Sequence, residues 1–199
     1  MISNVVLRFM TKRAVIAFLF VLPFSFTASA QRLAVKTNLL HDATATINIG
    51  LETSLAPKWS LEVSGGYNAW DFEGYRKWKH WLVQPEARFW FCETFNGHFI
   101  AAHVLGGEYN MVNPAFPFSL WNEALSYRNE GWYYGAGIAY GYHWILGNRW
   151  SIEAEIGVGY LGSDYDRYVD VHCGEWLGNF HRDAFGITKL AVSVVFLIM

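Results

Sequence analysis

Charge is scarce in this chain of 199 residues. Only 16% of the residues are charged, against about 25% in typical soluble domains, whereas 53% are hydrophobic and 18% are aromatic. Long hydrophobic runs are scarce as well. The one continuous apolar run near the N-terminus, residues 14–26, is too short to cross a bilayer as a helix. The composition therefore excludes a helical membrane protein, although it is unusually apolar for a soluble one.

The N-terminus has the features of an export signal. Three basic residues precede the apolar run, and the residues T-A-S-A at 27–30 follow it. This arrangement is typical of a secretory signal peptide with cleavage before Gln31, and an N-terminal anchor helix is the alternative. Cleavage would remove 30 residues, three of them basic and none acidic. The remaining 169 residues would hold 12 basic and 17 acidic side chains, a net charge of −5 that argues against nucleic-acid binding.

Residues 131–162 contain the clearest periodic pattern. Even-numbered residues from Trp132 to Trp144 are aromatic or aliphatic, and the odd-numbered ones between them are glycine, alanine, histidine and one tyrosine. After a polar turn at residues 146–149, the alternation resumes with Trp150. Period-two alternation predicts a hairpin of two strands. Twelve residues at ~3.3 Å each, tilted by ~40°, cover about 30 Å, close to the apolar band of an outer-membrane barrel with its aromatic girdles.

The same alternation along the rest of the chain predicts eight strands. Connections after the second, fourth and sixth strands are short, and those after the third, fifth and seventh are long, as in outer-membrane barrels with short periplasmic turns and long external loops. We therefore predict an all-β fold, an eight-stranded antiparallel closed transmembrane β-barrel (31–199) after a cleaved signal peptide (1–30). The predicted strands are residues 33–40, 47–55, 59–70, 80–91, 98–109, 131–144, 150–162 and 185–198.

Five blocks of sequence carry a resemblance to a known family. They are L-A-V-K-T-N-L-L (33–40), N-I-G-L-E (48–52), W-K-H-W-L-V-Q-P-E-A-R-F-W (78–90), F-N-G-H-F (95–99) and G-W-Y-Y-G-A-G-I-A-Y-G-Y (131–142). Together they look like an outer-membrane barrel family of Bacteroides-type bacteria, known as a domain of unknown function. The resemblance covers nearly the whole chain after the signal peptide. It implies a barrel in the bacterial outer membrane, with no catalytic residues to carry over.

Cysteine is nearly absent, with Cys92 and Cys173 alone. An even number in an exported chain permits one disulfide. The predicted strand order, however, puts Cys92 in a short turn and Cys173 in a long loop, at opposite ends of the barrel. We therefore expect no disulfide. Members of the family that this chain resembles often have paired cysteines in the last external loop, where this chain has only Cys173.

Charged side chains fall on the predicted inner face of the barrel. Buried charges are tolerated when they are paired and hydrogen-bonded, and an eight-stranded barrel is just wide enough for side chains to fill. We interpret these residues as a structural polar plug; carboxylates placed for acid–base chemistry are the alternative. No catalytic residue, metal or cofactor is expected. The predicted interior network is Lys36, Glu52, Glu62, Glu86, Arg88, His103, His143, Glu153, Glu155 and Lys189.

Two predicted loops, residues 110–130 and 163–184, are longer than the ~12–15 residues beyond which loops usually have a task or are disordered. Loops on a rigid scaffold carry recognition, and aromatic side chains are good anchors at an interface. The alternative is that the aromatics fold over the barrel mouth or rest on the outer leaflet. The candidate loop contacts are Phe116, Phe118, Trp121, Tyr127, Tyr165, Tyr168 and Trp176.

Three functions are compatible with these patterns. The first is a structural or surface-interaction protein that contacts outer-membrane lipid and a surface or envelope protein, but no nucleic acid. The second is an outer-membrane enzyme that modifies lipid. The third is a lipocalin-like carrier of a small ligand. A carrier fits least well, because Glu153 and Glu155 face the interior while aromatic residues face outward.

Overall fold

A computed structural model describes residues 32–72, 76–112, 127–169 and 174–198. Within these ranges the chain forms nine strands and one short helix, and none of the described helical residues makes a segment long and apolar enough to cross a membrane. The elements are β1 (Leu33–Asn38), α1 (Leu39–Ala43), β2 (Ile47–Ala56), β3 (Trp59–Asn68), β4 (Asp71–Phe72), β5 (Arg76–Trp90), β6 (Gly97–Val112), β7 (Tyr127–Ile145), β8 (Trp150–Val169) and β9 (Trp176–Ile198).

The strands form one antiparallel sheet that closes on itself. Their order is β3-β2-β1-β9-β8-β7-β6-β5, and β5 pairs back with β3 from Trp59↔Phe89 to Asn68↔His80. The two-residue β4 pairs only with the start of β5. Eight strands thus make a ring, which confirms the predicted all-β fold with eight antiparallel strands.

The two ends of the ring differ in their connections. At one end, which we call the turn end, lie the connections 57–58, 91–96 and 146–149, together with the first residue of β1 and the last residue of β9. At the opposite end, the loop end, lie α1, the last residues of β6 and β8 and the first residues of β7 and β9. Cys92 lies at the turn end as a free, exposed thiol. Cys173 lies outside the described residues, so the expected lack of a disulfide stays a prediction.

The two faces of the ring follow the pleat of the strands, because successive side chains point to opposite sides. Ile138 and Ile156 face outward and are 68% and 50% exposed, whereas Glu153 and Glu155 face inward and are 1% and 4% exposed. The same holds on β6, where Ile100 and Val104 face outward as the alternation predicts. The ring is therefore apolar outside and charged inside, the reverse of a soluble protein.

Several predicted boundaries are wrong. The first strand ends at Asn38, whose side-chain Oδ1 accepts a hydrogen bond from the backbone N–H of Leu40 and starts α1. The predicted loop 71–79 contains β4 and the first residues of β5. The predicted loop 163–184 is mostly strand, because β8 and β9 remain paired from Ser163↔Arg182 to Tyr168↔Trp176. These strands are simply longer than their apolar segments.

The first and last strands meet over a short distance only. β1 pairs with the six residues of β9 from Ser193 to Ile198. Beyond them, Asn38 continues the junction with its side chain, which bonds the carbonyl of Leu190 at 3.2 Å and the N–H of Val192 at 3.2 Å. From Trp176 to Lys189, this edge of β9 has no strand partner among the described residues. We call this stretch the free edge of β9.

Candidate functional site

The inner face of the ring holds a network of charged side chains. The structure places all ten residues of the predicted interior network there, and none is more than 8% exposed. Each of the eight ring strands supplies at least one of them, so the network ties the whole circumference together. In ring-strand order the residues are Lys36 (β1), Glu52 (β2), Glu62 (β3), Glu86 and Arg88 (β5), His103 (β6), His143 (β7), Glu153 and Glu155 (β8) and Lys189 (β9).

Arg88 lies at the centre of this network. Its guanidinium is fully buried and rests over the ring of Phe99, 4.5 Å from the centroid. A guanidinium offers five N–H donors in a planar fork, so it can bind several carboxylates at once. Its nitrogens reach a carboxylate oxygen of Glu62 and of Glu86 at 2.6 Å, of Glu155 at 2.7 Å, of Glu153 at 2.8 Å and of Glu52 at 3.0 Å.

Two lysines flank Arg88 and complete the pairing. Lys36 comes from the first strand of the ring and Lys189 from the last, and neither ammonium is solvated. Lys36 Nζ contacts Glu52 and lies 3.0 Å from both Glu62 and Glu153. Lys189 Nζ lies 2.8 Å from Glu86, 3.2 Å from Glu155 and 3.5 Å from Glu62. Every glutamate of the network thus contacts Arg88 and at least one lysine.

The network contains more acids than bases. Its five carboxylates face three cations, and two further protons would make it neutral. Two carboxylates or the two histidines can carry them. His143 Nδ1 lies 3.1 Å from Glu153, and His103 Nδ1 lies 3.6 Å from Glu86. Glu155 Oε1 has no hydrogen-bond partner in the described part of the chain, which makes this carboxyl group one candidate for a proton.

An aromatic cluster closes the ring at the turn end. Trp90 is wholly buried, packs against Phe99 at 4.7 Å between ring centroids and donates from Nε1 to Ser60 Oγ at 2.8 Å. Phe95, in the β5–β6 turn, folds inward to complete the cluster and has a positive φ of 65°. The apolar–polar alternation does not place Phe95, because a turn residue lies outside the strands.

A hydroxyl, an imidazole and a carboxylate lie in series beside the network. His103 Nε2 is 2.9 Å from Thr188 Oγ1, and His103 Nδ1 faces Glu86. Thr188 is the extra residue of a β-bulge in β9 and lines a cavity of about 100 Å³ next to Lys189. The order of groups resembles a nucleophile, base and orienting acid. Glu86 is already bound by Arg88 and Lys189, however, and His103 Nδ1 makes no hydrogen bond to the described part of the chain, so the three groups do not form a connected triad.

Comparison with known proteins gives one match. A family model described as a protein of unknown function, DUF3575, matches residues 16–198. The chain belongs to this family. The resemblance to a domain of unknown function is thereby confirmed. No curated protein matches the chain. No solved structure matches it either.

The candidate loop contacts of this DUF3575 chain are not all on loops. Phe116, Phe118 and Trp121 lie outside the described residues. Tyr127 begins β7, and Trp176 begins β9 with 57% of its surface exposed. Tyr165 and Tyr168 belong to β8, and Tyr165 points into the ring, where it stacks with Phe180 at 5.8 Å between ring centroids. The placement of these four residues on a loop was therefore wrong.

The paired ends of β8 and β9 carry a chain of titratable groups on the outer face. His181 Nδ1 lies 2.6 Å from Asp164, and His181 Nε2 lies 3.1 Å from Asp183, which also accepts a hydrogen bond from the hydroxyl of Tyr160. The histidine links the carboxylates instead of sharing a metal with them. No group of three potential metal ligands occurs in the parts of the chain that the structure describes.

Replacing Arg88 with methionine should strongly destabilise the ring. The substitution leaves five buried carboxylates with two lysines, and breaking a buried ion pair on one side costs about 3–5 kcal/mol. Lys58→Met is the matched control, because Lys58 is exposed and, within the described ranges, its ammonium bonds only the carbonyl of Phe91. Urea unfolding followed by tryptophan fluorescence should show a much lower midpoint for Arg88→Met. Equal midpoints for the two variants would contradict the central role of Arg88.

His181 should titrate above its ordinary pKa of 6.5, because hydrogen bonds to Asp164 and then Asp183 raise the pKa of this imidazole. A raised pKa in the folded state means that charged His181 stabilises the β8–β9 pairing below about pH 6.5, and that this contribution disappears as pH rises through the higher pKa. NMR titration should show the pKa falling in the double variant Asp164→Asn, Asp183→Asn. Asp166→Asn, which contacts Trp176 and Asn179, should leave it unchanged.

Proposed function

We propose that this chain is an outer-membrane β-barrel with a plugged polar interior, whose loop end carries recognition of a surface or envelope partner. The supporting observation is the outer face of the ring. Trp132 and Trp144, twelve residues apart on β7, are 55% and 46% exposed, and Ile138 midway between them is 68% exposed. Soluble monomers rarely expose contiguous apolar patches of more than a few hundred Å². A lipid bilayer would provide apolar surroundings for such a face.

The dimensions support the same proposal. The twelve residue steps from Trp132 to Trp144 make about 40 Å of strand, or about 30 Å of height at a tilt of ~40°. Aromatic side chains at both ends suit the two interfaces of a bilayer, where ring and polar tip meet different surroundings. The belt continues on the neighbouring strands with Tyr160 and Phe185 at the loop end and Trp150 at the turn end.

Export is part of the proposal. Residues 1–30 would act as a secretory signal that directs the chain out of the cytoplasm, and the folded ring would begin after Gln31. The described ring starts at Leu33, so the expected cleavage site lies close to its first strand without removing any of it. Intact mass of the membrane-extracted protein tests this step: a retained Met1 would exclude cleavage.

The interior favours a plugged scaffold over a pore. The charged network contacts all eight strands in the middle of the ring, and the Trp90–Phe95–Phe99 cluster packs below it. Eight strands leave only enough width for side chains. The interior is therefore filled where an aqueous channel would have to pass, and the task falls to the loop end.

At the loop end, β5 to β9 continue beyond the aromatic belt, and β8 and β9 extend furthest. We call residues 127–131, 163–169 and 176–183 the tall wall. The nine steps of β8 from Tyr160 to Val169 add about 30 Å of strand at ~3.3 Å per residue. β3, in contrast, ends one residue after the exposed Tyr67. A rigid paired wall that stands outside the bilayer on one side is a suitable platform for a protein partner.

A lipid-modifying enzyme is the second candidate, and the Thr188–His103–Glu86 series favours it. Such an enzyme would need a lipid ester to reach Thr188 Oγ1, but the adjoining cavity of about 100 Å³ is too small for an acyl chain and its headgroup. Thr188→Val removes the hydroxyl while keeping the shape of the side chain. If purified barrel hydrolyses outer-membrane lipid and this variant does not, the enzyme replaces the scaffold as the function.

An arginine on the outer belt should reduce the free energy of folding into a bilayer far more than an arginine at the turn end. Ile138 and Leu146 are almost equally exposed, at 68% and 65%, but Leu146 lies in the β7–β8 turn. In a bilayer, Ile138→Arg should cost about 2–4 kcal/mol and Leu146→Arg about 0–1 kcal/mol. Guanidinium titration of folding into phosphatidylcholine vesicles measures both. If the ring were water-soluble, the two variants would lose the same folding free energy. Equal losses would therefore refute the membrane location.

Shortening the tall wall should separate insertion from recognition. Replacing residues 164–181 with a short Gly-Ser turn removes the paired ends of β8 and β9 and leaves the charged network intact. We expect the shortened chain to insert into the outer membrane normally but to lose its cross-links to surface partners in intact cells. A Gly-Ser replacement of residues 146–149, at the turn end, is the control. Unchanged cross-linking after the wall is removed would contradict the proposed site of recognition.

A further inference from the structure

We propose that the ring contains, at its loop end, a binding site for an amphipathic organic anion. A cavity of about 580 Å³ lies there inside the ring, beyond the charged network. Residues of α1 and of the α1–β2 connection form one side of it, and residues of β5 to β9 form the rest. Its volume lies within the ~300–1,000 Å³ typical of pockets for small organic molecules.

The walls of this cavity present apolar surface. Tyr109, Tyr133 and Leu161 line it from three neighbouring strands. The Tyr133 hydroxyl donates to the carbonyl of Trp81 at 3.0 Å, and the Tyr109 hydroxyl lies 2.9 Å from Ser163 Oγ. Because both hydroxyls are occupied by the protein, the rings turn their carbon faces to the cavity. Such walls suit a ligand with an aromatic or aliphatic body.

The charged side chains of the cavity are all basic. Arg167 and Arg182 line it, and no aspartate or glutamate does so among the described residues. Arg167 is held by aromatic rings, with its guanidinium carbon 4.7 Å from the centroid of Phe180 and 5.1 Å from that of Tyr127. Arg182 makes no hydrogen bond or ion pair with the described part of the chain. It is therefore available to an anionic group of a ligand.

The positive lining of the cavity contrasts with the net negative charge of the whole chain. The chain has 17 acidic and 15 basic residues, and the network below the cavity has five carboxylates for three cations. Acidic groups near the cavity, such as Asp164 and Asp183, point to the outer face of the wall instead. The structure thus separates the two signs, with the carboxylates sealed in the network and two arginines in the open cavity.

The free edge of β9 gives the cavity a side that is not closed by a strand. Leu40 and His41 of α1 line the cavity next to Arg182 and Ala184 of β9, where β1 has already ended. Next to them on the outer face, Phe185 is 82% exposed. An anionic amphiphile can reach such a cavity from water or sideways from a bilayer. Free organic acids and anionic lipids share this chemistry, so the experiment separates the two sources.

The test uses two matched fluorescent probes, dansylglycine and dansylglycinamide, in which an anionic carboxylate is replaced by a neutral carboxamide. Binding to the full-length purified protein in nonionic maltoside micelles is followed by energy transfer from tryptophan, with empty micelles as the blank. We expect the acid to bind at least 10-fold more tightly than the amide, with an affinity that falls as salt rises. Equal affinities for acid and amide would overturn the proposal without any variant, and would leave the membrane location untouched.

Variants locate the site. Arg182→Gln should weaken dansylglycine binding at least 10-fold and leave the amide unchanged, whereas Arg149→Gln, the same charge change at the turn end, should alter neither. Ala184→Phe fills the cavity and should abolish binding of both probes. Because Arg182 is exposed and supports no described contact, Arg182→Gln is expected to fold normally. Undiminished acid binding in Arg182→Gln and Ala184→Phe would refute this cavity as the site.

Competition identifies the source of the ligand. Sodium octanoate, a free acid in water, and phosphatidylglycerol, added to the micelles, are each titrated against bound dansylglycine. Displacement by octanoate assigns the site to free organic acids, and displacement by phosphatidylglycerol alone assigns it to anionic lipid. Either result supports an amphipathic anion site. Displacement by neither, at concentrations that saturate the micelles, would overturn the proposal.

Discussion

The free-energy cost of burying charged side chains determines how the strands of this ring are arranged. Taking a carboxylate out of water costs several kcal/mol unless a partner and hydrogen bonds replace its solvation. Here five carboxylates share one guanidinium, Arg88, and two lysines, and these partners come from every part of the ring. None of the six strands that supply these charged side chains, β1, β2, β3, β5, β8 and β9, can leave its place without leaving a buried charge unpaired. The network therefore stabilises one register of eight strands against all others, much as a single buried polar residue specifies the register of a coiled coil.

The apolar outer face and the charged inner face depend on each other. If one strand of such a ring slips by one residue against its neighbours, every side chain of that strand moves to the other face. A slip in β8 would bring Ile152 and Ile156 into the network and turn Glu153 and Glu155 outward. Both changes are unfavourable if the outer surroundings are lipid. Ion pairs thus specify the register from inside the ring, and apolar surroundings would specify the same register from outside.

Alternation in the sequence was enough to predict the strands and their faces where one face is apolar. The inward places of Lys36, Glu62 and Arg88 follow directly from the pattern of their neighbours. The pattern failed at residues 163–184, because each face of the tall wall mixes polar and aromatic residues, so that no apolar–polar alternation marks the strands and the Asp, Tyr, His and Gly residues resemble a loop. The contact of Arg88 with five carboxylates was beyond prediction, because it depends on the shear of the closed ring and on side-chain length.

The pairing of β1 with β9 joins the first strand of the ring to the last. Lys36 and Lys189 lie on these two strands, so the carboxylates of β2, β3, β5 and β8 receive their full set of cations only when the complete chain has been assembled. A partly built sheet would hold a surplus of negative charge facing a half-formed interior. Pairing of β1 with β9 therefore closes the ring and completes the ion pairs of the network in the same step, because it brings Lys36 and Lys189 together around Glu62.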